Sequence, residues 1–173
     1  VYIVIKISKS IIAMKNILQW LLVFSWGVLL ASQTMAQLPN FKFYNSKREA
    51  FTKANLKPDM ATVVFFFNPY CETCQGLGTA IIEAQQVFKD TQFLFVTQND
   101  ELSALTYFSN EILIPSKRKF PFYLVRDLDY EFDTFFGKSE VPTILVYNKA
   151  GKMVKRYTKE ATPAEIAKAA LLP

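Results

Sequence analysis

The stretch TVVFFFNPYCETCQGLG, residues 62–78, joins two signals. Its first six residues are apolar without alternation, the mark of a strand buried on both faces, as in a parallel sheet covered by helices. Both cysteines of the chain, Cys71 and Cys74, follow at once. From Thr73 to Lys89 the apolar positions Leu77, Ile81, Ala84 and Phe88 recur at helical spacing and predict a helix with one buried stripe. Gly76 and Gly78 weaken its first turns by roughly 1 kcal/mol each against alanine. They serve either a close backbone approach or loose packing.

Working outward, FKFY (41–44) reads as an opening strand and SKREAFTKANLK (46–57) as a first helix. QFLFVTQ (92–98) is the next strand, and DELSALTYFSNEI (100–112) a helix capped by Asn99 or Asp100. FPFYLVRD (120–127) is extended, and LDYEFDTFFG (128–137) is a short helix stopped by Gly137. VPTILVY (141–147), the turn NKAG (148–151) and KMVKRY (152–157) predict an antiparallel hairpin. Thr162-Pro163-Ala164-Glu165 opens a last helix with a capping box and proline at its first position. The expected class is α/β: a mixed central sheet flanked by helices, closed by a C-terminal hairpin and helix.

The first 36 residues read as a leader. Lys6, Lys9 and Lys15 are their only charges, an apolar run spans Ile17 to Leu30, and Thr34 and Ala36 suit a secretory cleavage site before Gln37. Met14 is a plausible true start. The apolar run is shorter than the about 20 residues of a spanning helix. Cleavage is therefore the expectation, with an uncleaved membrane anchor as the alternative. The remaining domain, 37–173, has 137 residues, enough for one core. Its net charge is +2 against +5 for the whole chain, so the basic balance does not point to nucleic acid, and a membrane partner is expected only if the leader stays. Lys117-Arg118-Lys119 reads as a solvated loop. Export places the thiols where disulfides form and persist.

Two cysteines and no histidine narrow the chemistry. Structural zinc needs four ligands, and a haem attachment needs His where Gln75 stands, so neither metal nor cofactor is expected. Hydrolases that use histidine fall away for the same reason. A Cys71–Cys74 staple closes a very small loop and restrains little of the unfolded chain. A redox dithiol has a positive argument. At a strand-to-helix junction Cys71 meets free N–H groups and the helix dipole, which favour negative sulfur. Cys74, one turn on, is placed to attack a mixed disulfide formed by Cys71. Glu72, beside the nucleophile, opposes thiolate formation and leans the pair towards a reductant, unless it points into solvent. Thr73, between the same cysteines, is the other candidate modulator.

With VVFFFNPYCETC after a buried strand and VPT about 70 residues downstream, the chain resembles the thioredoxin superfamily. FPFYLVRDLDYEFDTFFGKSEVPTILVYNKAGKMVKRY is closer still to its exported TlpA-like branch, akin to the redoxin or thiol-specific-antioxidant class. The likeness covers roughly residues 40 to 172. It implies a thioredoxin fold, a cis Pro142 packed beside the cysteines, and a docking surface of Tyr70, Val141, Pro142 and Thr143. It further implies partners that are protein thiols and disulfides in the periplasm or another exported compartment, and an upstream redox partner. There are departures. Phe65 and Leu77 stand where the family often keeps carboxylates, and Tyr70 where it keeps Trp, leaving Glu72 or water to take the Cys74 proton. A peroxidase would carry Thr three residues before its cysteine, where Asn68 precedes Cys71 and Cys71 precedes Cys74.

The resulting expectation is an exported thiol–disulfide oxidoreductase with Cys71 attacking and Cys74 resolving. The rival is a non-catalytic module of the same fold that binds a peptide or partner. The missing carboxylates and the aromatics Phe41, Phe43, Tyr44, Phe132, Phe135 and Phe136 keep it open.

Overall fold

The computed structural model describes residues 36–113, 120–158 and 161–173. The expected leader, but for its last residue, and the triplet Lys117-Arg118-Lys119 lie outside the described residues. Among the described residues seven strands form, in chain order β1 (Lys42–Tyr44), β2 (Ala50–Thr52), β3 (Ala61–Phe66), β4 (Thr91–Thr97), β5 (Phe122–Arg126), β6 (Thr143–Tyr147) and β7 (Met153–Tyr157). They join one sheet in the order β2-β1-β5-β4-β3-β6-β7. The β3–β4 and β4–β5 pairs are parallel and the others antiparallel, giving the expected mixed sheet.

Every residue of β3 and β4 is buried, as the unalternating apolar runs require. Their side chains divide between two cores. Val63, Phe65, Phe93 and Phe95 face helices α1 (Glu72–Glu83) and α4 (Pro163–Ala170) and the turn Phe108–Leu113. Val64, Phe66, Leu94 and Val96 face α3 (Phe132–Phe136) and the aromatics of β1 and β2. Phe41, Phe43, Phe132 and Phe136 are buried there, with Phe132 stacked 4.1 Å from Phe66, so these aromatics are core and not interface. Gly137 ends α3 at φ +77°, and Thr162 and Glu165 form the expected capping box on α4.

The helix expected over 46–57 is not formed. Its place is taken by the tight β1–β2 hairpin and a single 3-10 turn, Lys53–Asn55. Asn45 Oδ1 accepts the N–H groups of Lys47 and Glu49, turning the chain back before a helix can nucleate. Phe51 is then buried as a strand residue, its ring 4.9 Å from Tyr123. The helix expected over 73–89 stops at Glu83, and Gln85–Val87 is a 3-10 turn. Its buried stripe is Cys74, Gly78, Ile81 and Ile82, with Leu77 and Ala84 only half-buried. The helix expected over 100–112 is α2 (Leu102–Tyr107), followed by a π turn, Phe108–Leu113. Its cap is Glu101, not Asn99 or Asp100. Asp100 is drawn off by Arg48 and Arg126, while Asn99 Oδ1 accepts the Glu101 N–H.

The two helix glycines differ in reason. A Cβ on Gly78 would lie 2.8 Å from Ile112 Cγ2 and 3.2 Å from Phe108 Cζ, so α1 needs glycine there to lie against the π turn. A Cβ on Gly76 meets nothing within 4 Å. Denaturant unfolding should therefore separate them. Gly78→Ala is expected to cost about 1–2 kcal/mol through overpacking, whereas Gly76→Ala gains up to about 1 kcal/mol of helix propensity. Equal effects would overturn the close-packing account.

Candidate active site

The chain leaves β3 at Phe66 and reaches the first turn of α1 through Asn68, Pro69 and Tyr70. Asn68 organises this bend: its side-chain oxygen accepts the Tyr70 N–H at 2.9 Å and its carbonyl the Cys71 N–H at 3.0 Å. Gln75 fastens the bend from the helix side, Nε2 donating to the Pro69 carbonyl at 2.6 Å. Cys71 thereby becomes the N-cap of α1, and its sulfur accepts the Cys74 N–H at 3.2 Å. That bond satisfies one of the free N–H groups of the helix start. An electron-rich sulfur is the acceptor.

The two thiols are free and unlike. Cys71 is half-buried and Cys74 fully buried in the core that holds Phe67 and Phe108. Burial pushes the Cys74 thiol up to about 12; its hydrogen bond with Cys71 adds to the shift, and the backbone at Asn68 pulls it partly back. Glu72 and Thr73 are exposed on the first turn. Phe65 and Leu77, where the resemblance would place carboxylates, are apolar, Phe65 fully buried and Leu77 packed at the core's margin.

The antiparallel register sets Thr143, at the start of β6, opposite Phe66, at the end of β3. This brings the segment before β6 to the cysteine end of the sheet. The Val141–Pro142 peptide is cis. Val141 is exposed and Pro142 buried. Thr143 is buried with its hydroxyl donating to the Glu140 carbonyl at 2.6 Å, so that side chain holds the loop rather than facing outward. Val141, Asn68, Gln98 and Asn99 share the walls of one open groove of about 630 Å³. A second groove, also about 630 Å³, runs between α1, past Thr73, Gly76 and Leu77, and the start of α4 at Thr162 and Pro163.

Tyr70 is 60% exposed, and its hydroxyl donates to Glu101, the cap of α2. That bond raises the titration of the phenol and lowers that of the carboxyl, which also accepts the Ser103 hydroxyl at 2.8 Å. Glu101 carried no sign in the sequence, because its partner lies 31 residues away. Asn68 could have been read from the Asn-Pro pair, which favours turn initiation.

No family model matches the chain, and no curated protein matches it. Solved structures do. MTB dsbF has a TM-score of 0.63 at 19% identity, over 79% of this chain and 97% of that one. The fold is the thioredoxin fold. A secreted Mycobacterium tuberculosis disulfide oxidoreductase homologous to E. coli DsbE follows at 0.62 and 14%, over 76% and 94% of the two chains. StoA from Bacillus subtilis has 0.55 and 16%, over 76% and 96%.

The contrast between the thiols is open to direct measurement. Iodoacetamide at neutral pH should give one adduct on the reduced chain, at Cys71, with Cys74 modified only after denaturation; mass spectrometry of peptides reads this. Unfolded thiols titrate near about 8.5, whereas Cys74 titrates near about 12 when folded. Its contribution to stability is therefore complete at neutral pH and is lost as pH rises from the first value through the second. Equal labelling of both cysteines in the folded chain would contradict the geometry.

Proposed function

We propose that the chain is an exported thiol–disulfide oxidoreductase working as a reductant. The observation that carries the reading is the unequal cysteine pair: a half-buried sulfur capping a helix, with a protonated, fully buried thiol behind it. The thioredoxin-fold likeness supports it, and so does the similarity to a secreted disulfide oxidoreductase. Tyr70 and Val141 form the exposed docking surface for an extended substrate chain, and the buried Pro142 and Thr143 set the loop that presents Val141.

The reaction closes without a further cofactor. Cys71 thiolate attacks one sulfur of a substrate disulfide, forming a mixed disulfide and releasing the first substrate thiolate. Cys74 sulfur then attacks Cys71 Sγ, and the second substrate thiolate leaves. No carboxylate stands at Phe65 or Leu77 to take the Cys74 proton, so the departing substrate thiolate takes it. The substrate gains two electrons, and Cys71 and Cys74 end as a disulfide that an upstream dithiol partner reduces again. Glu72 is exposed on the first turn of α1, where solvent screens its charge, so it lends the direction little and the potential of the pair decides it. Export rests on the leader reading of residues 1–36, with a cleavage site before Gln37.

Titration of the full chain in glutathione buffers, read by thiol-alkylation gel shift, tests the reading. A reversible two-electron transition well below the glutathione poise is expected. A transition above it would make the chain an oxidant, and a pair that never cycles would make it a binding module. In cells, Cys74→Ser should accumulate mixed disulfides through Cys71, and Cys71→Ser with Cys74→Ser should accumulate none. Failure of the single variant to trap any partner would count against exchange.

A further inference from the structure

Three amide side chains line the groove beside Val141, and each is tied down by one end. Asn68 Oδ1 accepts the Tyr70 N–H at 2.9 Å, and Asn99 Oδ1 accepts the Glu101 N–H at 2.7 Å. Gln98 is held the other way round, its Nε2 donating to the buried Asp127 carboxylate at 2.9 Å. These bonds settle which end of each amide is left over. Asn68 Nδ2 and Asn99 Nδ2 remain as donors and Gln98 Oε1 as an acceptor, none with a hydrogen-bond partner among the described residues. All three are reachable from outside. Asn68 is exposed, and among the described residues that are not exposed only Arg126 Nε is both unpaired and closed to solvent.

The groove around them holds about 630 Å³, within the range of about 300–1,000 Å³ of ligand clefts. Phe66 and Phe67, both buried, add apolar lining, and exposed Val141 stands at the cis peptide. Glu140 is the one charged group on its walls among the described residues, and the solvent to which it is exposed screens it. An anion therefore finds no counter-charge there. Neutral donors beside a neutral acceptor match a peptide group, which offers one C=O and one N–H per residue. Because each amide is already fixed by its other end, little freedom is lost when a peptide pairs with it.

We propose that Asn68, Gln98 and Asn99 bind the main chain of the substrate beside its cysteine, so that the protein selects disulfides held in extended polypeptide over small-molecule disulfides. This deepens the exchange reading and rests on it for placing the substrate sulfur at Cys71. The amides add a second contact to the docking at Tyr70 and Val141. They read peptide groups and not side chains, so substrates of unlike sequence are accepted alike.

Competition for Cys71 tests the groove. The full chain bearing Cys74→Ser is equilibrated with equal amounts of two thiols and their disulfides: capped Ala-Ala-Cys-Ala-Ala and capped cysteine. Both mixed disulfides have the same bond at sulfur, so their ratio, read by intact-mass spectrometry, reports what the flanking residues touch. An excess of about tenfold for the pentapeptide is expected from two or three main-chain hydrogen bonds. The N-methylalanine pentapeptide keeps its carbonyls but offers Gln98 Oε1 no alanine N–H, and its excess should be lower by about threefold or more. Asn99→Asp still accepts the Glu101 N–H but withdraws the donor, and should lower the excess likewise; 15N–1H dispersion verifies its fold. A ratio near one with the groove unaltered would overturn the proposal, and so would an excess that either N-methylation or Asn99→Asp leaves unchanged. If Cys71 takes up neither thiol, the exchange reading fails by itself. The groove is then judged by titrating the chain with capped Ala-Ala-Ser-Ala-Ala: saturable 15N–1H shifts at Gln98 and Asn99 sustain it, and their absence overturns it.

Discussion

From Ala61 to Phe66 the third strand gives no side chain to solvent, and packing on both faces therefore fixes its position. One set of side chains is held by the helices α1 and α4, and the other by the aromatic cluster around Phe132. A strand locked this way cannot slip by one residue without exchanging its two faces. Where it ends, at Phe66, is thus a hard coordinate, and the bend through Asn68 carries that precision to Cys71. The same ladder aligns Thr143 with Phe66, so the loop bearing Val141 and Pro142 is referred to the same fixed point.

Apart from Arg126 and Asp127, buried at the end of β5, charge is arranged around this apolar scaffold. The wall behind Cys74 is aromatic, with Phe67 and Phe108 stacked 4.2 Å apart, and the backbone at Asn68 only partly offsets the burial of a thiolate there. One group of ionic side chains gathers at the start of α2, while Lys42 with Asp129 and Lys149 with Asp90 pair elsewhere on the surface. Asp100 joins Arg48 and Arg126, and Glu101 takes the Tyr70 hydroxyl. One short turn of chain therefore ties the cysteine bend to the buried end of β5. The π turn that follows α2 brings Phe108 and Ile112 against Gly78, which ties α2 to α1.

The elements buried on both faces were legible because their signal is local. Unbroken apolar runs at β3 and β4, the capping box of α4 and Gly137 after α3 each carry their meaning within a few residues. The segment 46–57 misled because a lone Phe51 fits a helical stripe and a strand equally well; the Asn45 turn and the distant ring of Tyr123 decide it. Near the cysteines, the cis peptide at Pro142 was readable from the resemblance. Glu101 was not, and neither was Arg126, because both act through contacts far along the chain. Gly76 and Gly78 look alike in sequence, and only the approach of the π turn tells them apart.

Strand order also bears on how the chain folds. β3 pairs with β4 at a separation of about thirty residues, but its other neighbour, β6, arrives nearly eighty residues after it. Contacts so distant in sequence close slowly, because much of the chain must be ordered before they form. During synthesis the cysteine bend emerges well before Pro142 exists to stand opposite it. For that interval the two thiols belong to an incomplete sheet with an open edge at β3, the kind of edge that pairs with other chains. The last third of the sequence thus completes the fold and also ends a vulnerable stage in the life of the nascent protein.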